Sequence, residues 1–396
     1  MKQRKHILWL CSWYPHSKDL FDGDFIERQA RAIAAIHNVH VIHLVQNRNI
    51  LKHTTPTCEI KEEYGLQSSV YFINNYSNVL NSPNTLLFNI RYHRKLYAVL
   101  KDYIAQNGKP DLVHVQVPVK IGLGAVWLQK QSGIPFIVTE HYNVYHNNNW
   151  DGLNTASAYF KRLTKCVITK SNALVTVSDF LGNAINTYAV KRPYFVIPNV
   201  VNTELFFYKP PVLSKRKFRF LHVSNMMPVK NPKLMLDAVA KVAGECTDVE
   251  FVFAGNTSDE WKRYAASIGI AENVVQFKGV LPYEKIAYEM QEADAFFIFS
   301  KSETFSCATA EALCCGLPVA AVKAGALPEL LNSSNAVFAD KENNAESFAK
   351  VLQQLKESCS QFNRNEIAEE ASAKYNYRTV ALQYDALYKL YAKHKS

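Results

Sequence analysis

The stretch Glu303-Thr304-Phe305-Ser306-Cys307-Ala308-Thr309-Ala310-Glu311 runs on into Ala312-Leu313-Cys314-Cys315-Gly316-Leu317-Pro318-Val319, and then into Gly325-Ala326-Leu327-Pro328-Glu329. It follows the apolar run Ala295-Phe296-Phe297-Ile298-Phe299, whose shortness and polar flanks are those of a buried parallel strand. Ser306 is the residue type of an N-cap, Cys307 to Cys315 read as a helix, and Gly316 with Pro318 forms its stop. Glu303 therefore belongs to a loop at the carboxyl end of a strand. Glu311 falls more than a turn inside the next helix, and the first unpaired N–H groups of that helix lie between the two acids. Open α/β sheets bind ligands at such strand ends, and a helix start favours a phosphate. Two glutamates eight positions apart arise often as solvated surface charges; the ordered series of strand, loop, helix start and small-residue turn is what points to a site.

At 396 residues the chain exceeds one ordinary core, so two domains are expected. A hydrophobic content of 48% excludes a disordered class. No apolar run reaches the roughly 18 residues that span a bilayer. The basic start Met1 to His6 imitates a signal peptide, but Ile7 to Cys11 is too short an apolar region and no small-residue cleavage site precedes Trp13-Tyr14-Pro15. The reading is a first strand of a cytoplasmic protein. Eight cysteines without a Cys-x-x-Cys spacing read as small buried hydrophobes in a reducing compartment, with no structural zinc.

The charge is uneven. Residues 1–208 hold 22 Lys/Arg against 13 Asp/Glu, an excess of +9, whereas residues 209–396 hold 23 against 22, an excess of +1. The first half thus faces something anionic: a membrane surface, a diphosphate-linked acceptor or nucleic acid. No aromatic-basic motif of the RNA-binding kinds is present, which disfavours nucleic acid. The most basic helical stretch, around Arg91, Arg94 and Lys95, reads equally as a solvated face or a membrane-surface patch.

In order, strands are expected at Ile7–Cys11, Val39–Val45, Val70–Ile73, Asp111–Gln116, Phe136–Glu140 and Asn172–Ser178, with helices near Phe25–Ile36 and Thr85–Gln106. The alternation requires a parallel sheet. No Gly-x-Gly-x-x-Gly follows any strand, which argues against a dinucleotide-dependent oxidoreductase. Asp22-x-Asp24 suggests a metal-binding acid pair, but a loop and N-cap role explains both residues. His141 ends a strand, where a histidine has a better chance than elsewhere of facing a ligand. Lys209 to Lys217, rich in Pro and Lys, reads as an interdomain linker. The alternation restarts at Phe218–Val223 and continues through Val249–Gly255, Val274–Phe277 and Ala295–Phe299, ending in helices near 345–356, 365–374 and 378–394.

Glu303, seven residues, Glu311, an Ala-rich helix, Gly316-Leu317-Pro318-Val319, and a later Gly325 with Glu329 together resemble the signature of retaining, GT-B-type glycosyltransferases of family 4, the group 1 transferases. The Trp13-Tyr14-Pro15 loop with Gly23, the strand-end Thr139-Glu140-His141 and the boundary Ile197-Pro198-Asn199 resemble that family as well. The resemblance covers nearly the whole chain and is most specific in residues 218–330. It implies an α/β GT-B fold of two Rossmann-like domains facing a deep cleft: residues 1–208, which bind acceptor and are braced by the last helix (378–396), and residues 218–377, which bind the nucleotide sugar. The implied activity is transfer from a UDP- or GDP-linked sugar to a saccharide or lipid-diphosphate-linked saccharide hydroxyl, in surface polysaccharide synthesis, without a metal or other cofactor.

The resemblance also implies roles. Glu303 and His141 contact the transferred sugar, while Lys230 and the helix start at Ser306–Cys307 serve the leaving diphosphate. Glu311 accepts the ribose hydroxyls, the base stacks near Val280, and Gly23 shapes the acceptor loop. Where the family carries an arginine beside its lysine, this chain has Asn225, which brings no charge. Two other readings remain on the sequence, a same-fold nucleotide-sugar 2-epimerase and a non-catalytic two-lobed sugar-binding protein; an export signal would be expected of the latter.

Overall fold

The computed structural model describes residues 4–47, 57–63, 65–74, 81–145, 156–210, 217–339 and 344–392. Two compact units make up the chain, Met1–Asn199 with Val380–Ser396, and Val200–Thr379. The division falls ahead of the stretch 209–217 read as linker, of which 211–216 lie outside the described residues.

The first unit alternates strand and helix: β1 (His6–Cys11), α1 (Asp24–Ala34), β2 (Asn38–Asn47), β3 (Cys58–Glu63), β4 (Leu66–Asn74), α2 (Asn81–Asn107), β5 (Leu112–Gln116), α3 (Gly122–Ser132), β6 (Phe136–Glu140), α4 (Ala158–Lys170), β7 (Ala173–Thr176), α5 (Asp179–Tyr188) and β8 (Phe195–Val196). The sheet order is β3-β4-β2-β1-β5-β6-β7-β8, parallel except for β3, which pairs antiparallel with β4. Strands β1, β5 and β6 are buried almost throughout because helices cover both faces; Ile7, Leu8, Trp9, Leu10, Val113 and Val138 are fully buried, and so are the polar His114, Gln116 and Thr139. The β3–β4 hairpin was not expected from sequence. Its outer strand, CEIKEE, is charged and largely exposed, which suits an edge strand but hides the alternation by which strands are found.

The second unit contains β9 (Phe218–Ser224), α6 (Pro232–Glu245), β10 (Val249–Gly255), α7 (Asp259–Ser267), β11 (Val275–Gly279), α8 (Tyr283–Glu292), β12 (Ala295–Ile298), α9 (Cys307–Cys314), β13 (Val319–Ala321), α10 (Leu327–Leu330), β14 (Ala336–Phe338), α11 (Ala345–Ser358) and α12 (Arg364–Tyr375). Its sheet is parallel, in the order β11-β10-β9-β12-β13-β14. Phe220, Phe251, Phe253 and Phe297 fill the centre, with Phe220 and Phe251 stacked at 5.0 Å. Each such ring contributes about 2–3 kcal/mol by leaving water. The chain closes with α13 (Tyr377–Tyr391), whose residues from Val380 onward belong to the first unit; residues 393–396 lie outside the described residues.

Counted in sequence order within each unit, and leaving aside the edge hairpin strand and the short β8, both sheets have the order 3-2-1-4-5-6. They are doubly wound, and the winding reverses between β1 and β5 in one and between β9 and β12 in the other. The crevices at the carboxyl ends of these strands are the places a ligand is expected.

Candidate active site

In the second unit the reversal brings together residues far apart in sequence. Lys230, on the loop after β9, places its Nζ 2.6 Å from Glu303 Oε1, on the loop after β12. Glu303 is buried, and Lys230 is about a quarter exposed. The lysine reaches the site because the loop turns sharply. Met226 and Asn231 both have positive φ, at 53° and 59°, and Asn231 ends a short 3-10 turn, Pro228–Lys230, before α6 begins. Glu303 is fixed from its other side. Ala326 N–H donates to Glu303 O at 2.8 Å, and Gly325, with φ 60°, lies so close that a Cβ there would stand 2.2 Å from Glu303 O. The glycine of the sequence signature is thus required by a backbone crossing.

Glu311 lies on α9 as expected and is buried. Its Oε1 accepts from the Tyr283 hydroxyl at 2.8 Å, and the Tyr283 ring packs on Phe206 at 4.8 Å. Tyr283 was not foreseen, since nothing in the pattern around it separates it from an ordinary surface tyrosine. Ser306 departs from expectation. It occupies the cap position of α9 at φ 75° and ψ 82°, but its hydroxyl pairs with the Thr309 hydroxyl at 2.8 Å and makes no bond to the backbone. A side chain in the left-handed region points away from the first-turn N–H groups it would otherwise cap. The far end of the helix follows the sequence reading. Gly316 N–H donates to Leu313 O and Leu317 N–H to Ala312 O, the double bond of a Schellman stop around a glycine at φ 71°.

Asn225 is exposed and its Oδ1 accepts from Met227 N–H at 3.2 Å, so it shapes the loop locally. Val280 is 56% exposed, just beyond β11. Cys307 is the first residue of α9 and is half-buried. Beneath Lys230, His222 on β9 is fully buried, with Nδ1 2.9 Å from Phe297 O and Nε2 2.7 Å from Ser224 Oγ. Burial, only partly offset by the Phe297 carbonyl, pushes its pKa down to about 4. The neutral ring ties β9 to β12 at the reversal.

In the first unit His141 follows β6 and is buried. Its Nε2 is 2.8 Å from Gln116 Oε1, an acceptor, so Nε2 carries the ring proton and Nδ1 the lone pair. Nδ1 is buried without a hydrogen-bond partner among the described residues, and burial pushes the His141 pKa down to about 3. The Gln116 amide also meets His114 Nε2 at 3.3 Å, and His114 Nδ1 is 2.7 Å from the Tyr388 hydroxyl of α13. Tyr384 lies 3.2 Å from Thr139 Oγ1. Two tyrosines of α13 thus anchor a buried polar chain, Tyr388–His114–Gln116–His141, which fixes the ring. Before it, Glu140 accepts the His141 and Tyr142 N–H groups at 2.8 Å and the Tyr145 hydroxyl, and burial raises its pKa to about 7.

Gly23 has φ 64°, and a Cβ there would lie 2.8 Å from the Trp13 backbone, so this loop glycine is also a close crossing. The acids beside it do not cap α1. Asp24 is the first helical residue and pairs with Arg28 at 2.6 Å, whereas Asp22 turns toward His16 and His43. A glycine in the cap position leaves no side chain there to accept.

Strain marks the same places. The non-glycine residues with positive φ among those described are Val117, Met226, Asn231 and Ser306. They follow β5, β9 and β12, the strands at the two reversals. Such conformations cost about 1–3 kcal/mol each and persist where the surroundings over-determine them, characteristically at ligand sites.

Comparison with known proteins adds the identity of the fold. The family model described as "Glycosyl transferases group 1" matches residues 207–374, and "Glycosyltransferase Family 4" matches residues 24–205. An uncharacterized glycosyltransferase of Methanocaldococcus jannaschii is 24% identical over 86% of this chain and 90% of its own. The alpha-monoglucosyldiacylglycerol synthase of Streptococcus pneumoniae is 25% identical over 63% of this chain and 61% of its own. Among solved structures, sucrose-phosphate synthase from Thermosynechococcus elongatus superposes with a TM-score of 0.76 at 18% identity, covering 98% of this chain and 99% of that one. Anabaena Alr3699/HepE, in complex with UDP and glucose, does so with a TM-score of 0.70 at 17% identity, covering 98% and 100%. At such identities the structural likeness establishes the fold alone. The doubly wound sheets, the two family matches and the named relatives agree, and the chain belongs to the GT-B-type group 1 glycosyltransferases.

Proposed function

We propose that the protein transfers a sugar, with retention of anomeric configuration, from a UDP- or GDP-linked donor to a hydroxyl of a saccharide or lipid-linked saccharide acceptor, in building a surface polysaccharide. The observation that carries this reading is the Lys230–Glu303 pair at the reversal of the second sheet. A cation and a carboxylate held together there suit a leaving diphosphate and the hydroxyls of the sugar it leaves. Lys230 and the first-turn N–H groups of α9 take the developing negative charge, as preorganised donors do most of the work in such transfers. Glu311, held by Tyr283, accepts from the ribose hydroxyls, and Val280 offers an apolar contact to the base. In the first unit, His141 accepts a sugar hydroxyl at Nδ1. This chemistry asks no metal of the donor site.

The complex of HepE with UDP and glucose, and the diacylglycerol in the name of the Streptococcus relative, support a nucleotide-sugar donor and an acceptor that is sugar or lipid. The transferase family match favours this over the epimerase and binding-protein readings. A panel of UDP, GDP and their sugar conjugates, with and without EDTA, read by thermal shift on wild type and Glu311→Gln, tests it. One nucleotide at 100 times its Kd is expected to add about 2.7 kcal/mol to the wild type alone, whatever the chelator. No shift with any nucleotide sinks the donor assignment.

A further inference from the structure

We propose that His16, Asp22 and His43 form a binding site for a divalent transition-metal ion of the zinc class on the first unit. His16 and Asp22 come from the loop after β1 and His43 from β2. One ligand atom of each lies within 4.8 Å of the others. Asp22 Oδ2 is 3.8 Å from His16 Nε2 and 3.7 Å from His43 Nε2. A tetrahedral ion with bonds of about 2.0–2.1 Å sets its ligand atoms roughly 3.3–3.4 Å apart, so the two Asp22 pairs need close by only about 0.4 Å, while the two imidazole nitrogens, within 4.8 Å of one another, draw together by up to about 1.4 Å through rotation of the loop histidine.

Orientation supplies a second observation. His43 Nδ1 is 2.7 Å from the Cys11 carbonyl, which can only accept, so Nδ1 carries the proton and Nε2 the lone pair. That Nε2 belongs to a ring only 2% exposed and has no hydrogen-bond partner among the described residues. It faces a carboxylate, another acceptor. A buried lone pair turned toward a part-exposed carboxylate asks for a cation between them, and a ring held by a backbone carbonyl on its far nitrogen is the usual support of a metal-binding histidine. The loop is prepared as well. His16 and Asp19 exchange both backbone hydrogen bonds at 3.0 Å, and the rings of His16 and His43 lie 6.0 Å apart.

Coordination through His16 Nε2 moves that ring's proton to Nδ1 and gives up a 3.2 Å approach from Lys18 N–H, the contact that opposes the site. Two imidazoles and one carboxylate, without a thiolate, suit zinc, cobalt or nickel. Three protein ligands leave a fourth position. Asp22 and His43 also line a cavity of about 300 Å³ with Trp13, Tyr92, Lys120 and Tyr142, so that position opens toward space for water or a ligand oxygen. All three ligands belong to the first unit, and the test needs no nucleotide.

The full chain, freed of metal with EDTA and dialysed, is titrated with zinc by calorimetry and with cobalt by visible absorption. One equivalent is expected to bind, with the d–d bands of low-coordinate cobalt. Asp22→Asn, on the loop, and His43→Ala, in β2, are each expected to weaken binding at least about tenfold. Should His43→Ala fail to fold, Asp22→Asn together with His16→Asn decides. Absence of stoichiometric binding to the wild type, or undiminished binding in these variants, overturns the site and leaves a hydrogen-bonded cluster only.

Discussion

Gln116 decides which nitrogen of His141 carries the proton and which the lone pair, and it does so at 2.8 Å from a fully buried position. Replacing it with glutamate preserves the acceptor but sets an anion against the ring, so the His141 pKa rises from about 3 toward neutrality. The acid limb of the kcat/KM profile is expected to move up by at least about one pH unit in Gln116→Glu. Gln116→Met, unable to accept, should lower kcat without moving that limb. An unchanged profile in the glutamate variant would remove Gln116 from any positioning role. The placement of His141 and Glu303 after strands and of Glu311 inside a helix was legible in sequence, because these are local patterns, whereas Lys230 was singled out by the family resemblance. Gln116, Tyr283 and His222 were not, since their roles depend on partners 25 to 75 residues away.

The loop carrying Glu303 and the turn carrying Gly325 are one element mechanically, because their backbones touch. Gly325→Ala must displace Glu303, and it also meets the left-handed penalty of about 1–2 kcal/mol that any side chain meets there. Gly269→Ala, at φ 79° with open space around it, meets the penalty alone. The expected result is destabilisation by denaturant of about 1–2 kcal/mol for Gly269→Ala and a larger loss for Gly325→Ala, with loss of transfer activity confined to Gly325→Ala; equal activity would mean that Glu303 needs no such support. The elements themselves were largely readable, since the Gly316 stop and the buried strands are encoded in adjacent residues. The β3–β4 hairpin was hidden by the charge of an edge strand. The left-handed Ser306 was hidden because the same residue type serves an ordinary extended cap.

For the whole molecule, buried histidines set the response to acid. His141, His40 and His222 are held neutral, at about 3, 4 and 4, chiefly by burial. The unfolded chain protonates them below about 6.5 and the folded chain does not, so their contribution is complete above that pH and is lost as pH falls toward 4. Glu140 acts in the opposite sense. Raised to about 7, it keeps a proton in the folded state that the unfolded chain releases above about 4.3, so its contribution falls as pH rises between those values. Denaturation midpoints should therefore drop steeply from pH 6.5 to 4, and Glu140→Gln should gain more stability than wild type between pH 5 and 7. Parallel curves would show that Glu140 does not titrate there.

The basic excess of the first half has a structural counterpart on α2. Leu86, Leu87 and Ile90 are exposed there beside exposed Arg91, Arg94 and Lys95, an arrangement suited to an anionic leaflet. Changing the three bases to glutamate is expected to abolish cosedimentation with phosphatidylserine vesicles, and retained binding would assign the patch to solvent. Two-domain organisation was legible from length and alternation. The anchoring of α13 through Tyr388 was not, because its partner, His114, is 274 residues distant.

The pairing of Lys230 with Glu303 bears on how the donor site responds to its medium. With Asn225 contributing no charge, the donor role proposed for Lys230 has it meet a diphosphate while already matched by a carboxylate, so that binding would be an exchange of anions rather than the filling of a positive field. Few small ions gather around a locally neutral pair, and few are released when it rearranges. Donor affinity should consequently change little between 50 and 500 mM salt, whereas Glu303→Gln, which bares the cation, should bind nucleotide diphosphate more tightly in dilute buffer and lose that advantage as salt is added.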